Sequence, residues 1–146
     1  MAKNELDTRF SEFGTVSFAS VTRVNDFIGH LEAGKLTGTR CAKCAKIFFP
    51  PRAQCCECFS SEMEWFEVCG EGELVSFSTL QYAPTGFTEE TPYTIALVDY
   101  KDYKVFGRID GSIPPEELSV GMKLKAVPSR TSNGHLTYLF ERSPAR

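Results

Sequence analysis

Two C-x-x-C pairs, Cys41-Ala42-Lys43-Cys44 and Cys55-Cys56-Glu57-Cys58, stand only ten residues apart and constrain this chain more than any other feature. Together they supply four thiolates for one tetrahedral ion. Each pair forms a knuckle that grips the metal from one side, and the intervening loop brings the knuckles face to face with sulfur–metal distances of about 2.3 Å. The expected result is a zinc ribbon of rubredoxin type holding one structural Zn2+, with Cys41, Cys44, Cys55 and Cys58 as ligands. Iron suits the same four-sulfur geometry, and the spacing alone does not separate the two ions. With every coordination position filled, no metal-bound water is available, so the ion shapes the chain and performs no hydrolysis. A redox reading requires a C-x-x-C between a strand and a helix, whereas these pairs flank Lys46-Ile47-Phe48-Phe49-Pro50-Pro51-Arg52, a short hairpin-like stretch. Cys56 and Cys69 are left over: the double i, i+3 spacing favours Cys55 and Cys58, and Cys69 reads as an inert small residue.

The rest of the 146-residue chain is about one domain's worth, with 42% apolar residues available for a core. The start, Met1 to Asp7, carries no apolar run of signal-peptide type, and no stretch is long and apolar enough to span a bilayer. A cytoplasmic protein without a membrane partner is expected, and clustered cysteines without an export signal fit a reducing compartment. A net charge of −3 argues against general nucleic-acid binding, which depends on Lys and Arg displacing counterions from phosphates.

Residues 1–36 read as an N-terminal extension and helix, 37–68 as the ribbon, and 69–146 as a β-barrel. Val24, Phe27, Ile28 and Leu31 recur at helical spacing, and Gly34 is placed to stop the helix. His30 falls beside that stripe as an exposed polar-face residue, and His135 belongs to an Asn133-Gly134 hairpin turn. Strands are expected at Leu74–Tyr82, Tyr93–Tyr100, Tyr103–Ile109, Met122–Pro128 and Leu136–Glu141. A helical turn at Pro114–Leu118 lies between the third and fourth. Five short strands with one interposed turn point to a mainly β fold, a closed barrel of OB type behind the ribbon and its N-terminal helix.

No catalytic constellation emerges. Nucleophilic catalysis needs a base beside a serine, cysteine or threonine, and both histidines fall at positions better explained as surface. Glu89-Glu90 and Glu116-Glu117 read as solvated loop charges.

The order of elements resembles a known family, OB-fold proteins with an N-terminal rubredoxin-like zinc ribbon found beside acyl-CoA enzymes. The resemblance covers nearly the whole chain. It is carried by Gly34-Lys35-Leu36 before the first knuckle, Phe49-Pro50-Pro51-Arg52, Gly70-Glu71-Gly72-Glu73-Leu74-Val75-Ser76-Phe77-Ser78, Pro92-Tyr93 and Val120-Gly121-Met122. The sequence departs from it at Ala45, where such proteins often have Gly, and at Cys56, where they often have Pro. What the resemblance implies is a non-catalytic accessory subunit that docks on a thiolase-like catalytic subunit in a hetero-oligomer and helps position CoA or acyl-CoA. Within the family it runs in particular to the branch serving 2-benzoylsuccinyl-CoA thiolysis in anaerobic toluene breakdown. Under that reading Arg52, held after Pro50-Pro51, together with Arg40, Lys43 and Lys46, is the candidate contact to a CoA phosphate or an acidic partner surface. Phe48 and Phe49, with Phe10, Phe13 and Phe18, are either docking anchors or ordinary core. The alternatives are an acyl-CoA hydratase subunit, a stand-alone acyl-CoA carrier, and a single-strand nucleic-acid module with Phe77 and Tyr82 stacking on bases.

Overall fold

A computed structural model describes residues 7–17, 19 and 21–144. After a 3-10 turn at Arg9–Glu12, a short helix α1 (Asp26–Glu32) leads into three ribbon strands, β1 (Thr37–Cys41), β2 (Ile47–Phe48) and β3 (Met63–Glu67). Five barrel strands follow: β4 (Gly72–Leu80), β5 (Tyr93–Asp99), β6 (Lys104–Ile109), β7 (Lys123–Arg130) and β8 (Leu136–Arg142). The expected class therefore holds: mainly β, with one helix, a ribbon and a closed five-stranded barrel.

Helix α1 is too short to stand alone in water, and it persists because Phe27, Ile28 and Leu31 are buried along one face. It begins two residues later than the apolar stripe, at Asp26, and Val24 contributes only the carbonyl that receives the Phe27 N–H. The helix ends in a full Schellman motif. Gly34 sits at φ +77°, the Lys35 N–H reaches the His30 carbonyl at 2.8 Å, and the Gly34 N–H reaches that of Leu31 at 3.0 Å.

In the ribbon, β1 is the central strand, antiparallel to β2 on one side and β3 on the other. The barrel closes in the order β4-β5-β6-β8-β7, with β7 returning to β4. All its pairs are antiparallel except β6 with β8, where Arg108 faces Leu139 and Ile109 faces Phe140. β4 follows β5 along nearly its whole length, with a bulge between Leu74 and Ser76 that bends it, while its first residues Gly72 and Glu73 also pair with β7. At the closure point Gly72 is required by space, because a Cβ there would lie 2.6 Å from Val98 Cγ1 and 2.7 Å from the Asp99 carbonyl.

Most strand limits shift by one or two residues from the sequence expectation, and two of the shifts show how. β7 runs on through Pro128 to Arg130, since β4 covers β7 only at Lys123 and Leu124, and the missing amide hydrogen of Pro128 faces an open edge. β4 stops at Leu80, leaving Tyr82 91% exposed on the loop beyond.

One apolar core runs through the molecule. Leu74, Val98, Val105, Leu124 and Phe140 fill the barrel, and Phe27, Ile28, Leu31 and Leu36 continue it through α1, which packs between β1 and the β7–β8 pair. A second, much smaller cluster lies at the ribbon tip and consists of Cys41, Phe48 and Cys55 with Cys58 and Met63. Among the described residues no helix is long and apolar enough to cross a membrane.

Candidate metal centre

The two knuckles are built alike. Cys41 and Cys55 each donate their amide hydrogen across the turn, to the carbonyls of Lys46 (2.8 Å) and Ser60 (2.9 Å). Their own carbonyls receive the N–H groups of Ala45 (2.9 Å) and Phe59 (3.1 Å). Closing each turn places the residue after its second cysteine in left-handed backbone, Ala45 at φ 62° and Phe59 at φ 58°. Neither is glycine, and both carry the steric penalty of that conformation.

The turns converge all four sulfurs to within 4.8 Å of one another. Cys41 Sγ lies 3.5 Å from Cys58 Sγ, and Cys44 Sγ lies 3.5 Å from Cys55 Sγ. A tetrahedron with arms of about 2.3 Å has edges of about 3.8 Å, so the cage fits one four-coordinate thiophilic ion. Backbone dipoles favour the thiolates. Amide hydrogens of Cys58 and Glu57 pull the Cys55 thiol down to about 7, and those of Cys44 and Lys43 draw Cys41 below its ordinary value. The Lys46 amide acts the same way on Cys44, but hydrogen bonding to Cys55, burial, and the neighbouring Cys41 and Cys58 together outweigh it and push that thiol up to about 12. A bound cation displaces such retained protons. Cys56 and Cys69 are exposed and stand outside the cluster.

The candidate contact residues separate into two groups. Arg40 pairs with Glu64 at 3.1 Å and Lys46 with Glu57 at 3.4 Å, both at the surface, where such pairs contribute little. Lys43 and Arg52 form no ion pair with a described residue. Arg52 is held at its backbone by buried Thr39, whose Oγ1 receives the Arg52 N–H at 2.8 Å and donates to its carbonyl at 3.0 Å. The Arg52 guanidinium lies 5.4 Å from the Phe48 ring centre.

The aromatic candidates are internal. Phe48 is 8% exposed inside the tip cluster, while Phe49 packs edge-on against Phe27 and Tyr138 and joins ribbon, helix and barrel. Phe10 and Phe13 lie on Phe27, and Phe13 also reaches Tyr138. Phe18 falls outside the described residues. Of the base-stacking candidates, Phe77 packs against the core and only Tyr82 faces solvent.

Two readings of polar residues need correction. His30 is half-buried, bonded through Nδ1 to Thr37 Oγ1 at 2.8 Å and set edge-on to Trp65 at 4.9 Å, because the ribbon folds back over that helix face. Glu90 is no solvated loop charge. Its side chain is 18% exposed, paired with Arg108 and bonded by the Thr15 hydroxyl, and Arg108 itself lies over Phe87 and Tyr93. Burial pushes the Glu90 carboxyl up, but Thr15 and Arg108 overcompensate and hold it below its ordinary range. Glu117 forms an exposed pair with Arg142. The Glu90–Arg108 pair joins a loop to a strand across the barrel wall, and nothing in local spacing marks it.

Comparison with known proteins follows the same division. Residues 30–64 match the ChsH2 rubredoxin-like zinc ribbon domain, and residues 65–128 match the ChsH2 C-terminal OB-fold domain. A DUF35 domain-containing scaffold protein of Methanocaldococcus jannaschii is 32% identical over 117 residues, 75% of this chain and 81% of that one. The chain belongs to the DUF35 family. Another relative, the benzoylsuccinyl-CoA thiolase subunit BbsA of Geobacter metallireducens, is 30% identical over 111 residues, 73% of this chain and 74% of its own. Among solved structures, a chain of the Ltp2-ChsH2(DUF35) aldolase superposes with a TM-score of 0.69 at 22% identity, covering 84% of this chain and 96% of that one. The four-cysteine cage is thus the zinc centre of a DUF35 ribbon.

Proposed function

We propose that this DUF35 protein is a non-catalytic, zinc-bearing accessory subunit of a thiolase-type acyl-CoA complex, working in the cytoplasm. Residues 37–68 form a rigid arm, residues 69–146 a barrel platform, and the helix with its extension a brace between them. The reading is carried by the likeness to a benzoylsuccinyl-CoA thiolase subunit along three quarters of either chain. The metal cage supports it chemically: four sulfurs leave the ion no open position, so its contribution is shape. Both histidines serve structural contacts, His30 with Thr37 and His135 with the Gly14 carbonyl at 2.7 Å. In this reading the reacting groups belong to the larger partner, and this chain presents the cationic ribbon edge of Arg52 and Lys43, flanked by Arg40 and Lys46, toward the CoA phosphates.

Co-expression with a thiolase-type catalytic chain tests the proposal. A stable hetero-oligomer by light scattering, and thiolysis of 2-benzoylsuccinyl-CoA or another β-keto acyl-CoA that falls sharply without this chain, are the expected results. Full thiolysis by the catalytic chain alone, or thiolysis by this chain alone, would refute it.

A further inference from the structure

Between the segment just before α1 and the ribbon lies a polar notch of about 350 Å³ lined by Arg23, Thr39, Arg52, Ser61, Met63 and Trp65, among others. Its charge is one-sided. No carboxylate lines it, and neither Arg23 nor Arg52 forms an ion pair with a described residue, although acids outnumber bases in the chain by 19 to 16. Two arginines line one concavity that holds no carboxylate, and an anion seated there can accept hydrogen bonds from both.

The notch is rigid on three sides. Thr39 and Trp65 are directly paired across β1 and β3. The Thr39 hydroxyl clamps both backbone polar groups of Arg52, so the residue presents its side chain from a fixed root. Trp65 is half-buried, with the His30 ring set edge-on against it, which fixes the indole while leaving part of it exposed. A flat aromatic surface beside a paired-arginine anion site suits a ligand with a phosphate at one end and an aromatic base next to it.

We propose that this notch takes the phosphorylated end of a nucleotide, the phosphate bridging Arg23 and Arg52 and the base lying against Trp65. The inference rests on the coenzyme A reading above, since the 3′-phosphoadenosine end of that cofactor has this chemistry. It adds Arg23 and Trp65 to the ligand surface and assigns Arg52 to a ligand phosphate, removing it from the set of partner contacts.

Trp65 is the only tryptophan in the chain, so its fluorescence reports on the notch directly. The zinc-loaded full chain is titrated with 3′-phosphoadenosine 5′-phosphate and, in parallel, with adenosine, inorganic phosphate and a single-stranded oligonucleotide. A saturable change with the bisphosphate nucleotide is expected, with affinity about tenfold or more weaker in Arg23→Gln and in Arg52→Gln, as loss of a charged hydrogen bond implies. Adenosine and inorganic phosphate are each expected to bind about tenfold or more weakly. Wild-type affinity in both variants with zinc content intact, inorganic phosphate binding as tightly as the nucleotide, or the oligonucleotide binding more tightly would each overturn the assignment. No saturable response would overturn it as well. If the notch fails while the hetero-oligomer still assembles and depends on this chain for thiolysis, only the placement of the nucleotide falls. If the nucleotide binds but no complex forms, the thiolase reading falls and the notch stands.

Discussion

Ala45 and Phe59 show how far a single backbone angle can be forced by its neighbours. Each follows the second cysteine of a knuckle, and each donates its N–H to the carbonyl of the first. Reversing the chain there, so that the carbonyl of the next residue meets the amide of the first cysteine, puts Ala45 and Phe59 in the left-handed region, where a Cβ costs about 1–2 kcal/mol. Glycine removes the clash but adds unfolded-state freedom, so Ala45→Gly is expected to stabilise the zinc-loaded protein by about 0.5–1 kcal/mol in denaturant unfolding. Glu90 makes a second residue-scale case. Its carboxyl is held below the ordinary value of 4.5, so the stability it contributes is complete above that value and is lost as pH falls through the lower, folded-state value. Glu90→Gln is expected to cost about 1–2 kcal/mol at pH 7, and the difference from wild type should shrink on acidification below 4.5. A constant difference from pH 7 to 3 would contradict this assignment. Of these two features, Ala45 was legible as a departure from the family's glycine, whereas Glu90 became meaningful only beside Arg108 on another strand.

At the scale of elements the ribbon tip and the barrel rest on different forces. The tip has a cluster of only Cys41, Phe48 and Cys55 with two partly buried neighbours, too little apolar surface to order some twenty residues. Zinc makes up the difference, being worth about 10–16 kcal/mol in isolated finger peptides. Chelation, or Cys55→Ser, is therefore expected to release amide protection across residues 41–60 while residues 72–142 keep theirs, as hydrogen exchange would show. Cys56→Ser should retain one zinc per chain, since Cys56 lies outside the cage. Loss of metal from Cys56→Ser would mean that the ligand set includes it. The cysteine spacing announced this element fully. The strands of the barrel were legible nearly as well, from alternation such as Thr94, Ala96 and Val98 pointing inward along β5. Their ends were less so: the continuation of β7 past Pro128 depends on which neighbour is missing, and that is a property of the sheet.

For the molecule as a whole, Phe49 is the joint. It touches Phe27 of the helix and Tyr138 of the barrel, directly beyond β2 of the ribbon. Phe49→Ala is expected to lower stability by about 2–3 kcal/mol, somewhat less than truncation of a fully buried phenylalanine, and to lower the melting temperature of the zinc-loaded protein. A change below about 0.5 kcal/mol would instead mark Phe49 as a free surface residue and return it to the candidate docking anchors. By itself the sequence determined the four-cysteine cluster, the helix with its glycine stop, and the barrel class, because each is encoded by periodicity or spacing over a few neighbouring residues. Only the tertiary structure decided that Phe48 and Phe49 turn inward, that His30 is enclosed, and that Arg23 and Arg52 share one acid-free notch. Those facts depend on which distant segments meet, and a side chain's burial and charge environment are set by the partners that folding brings to it.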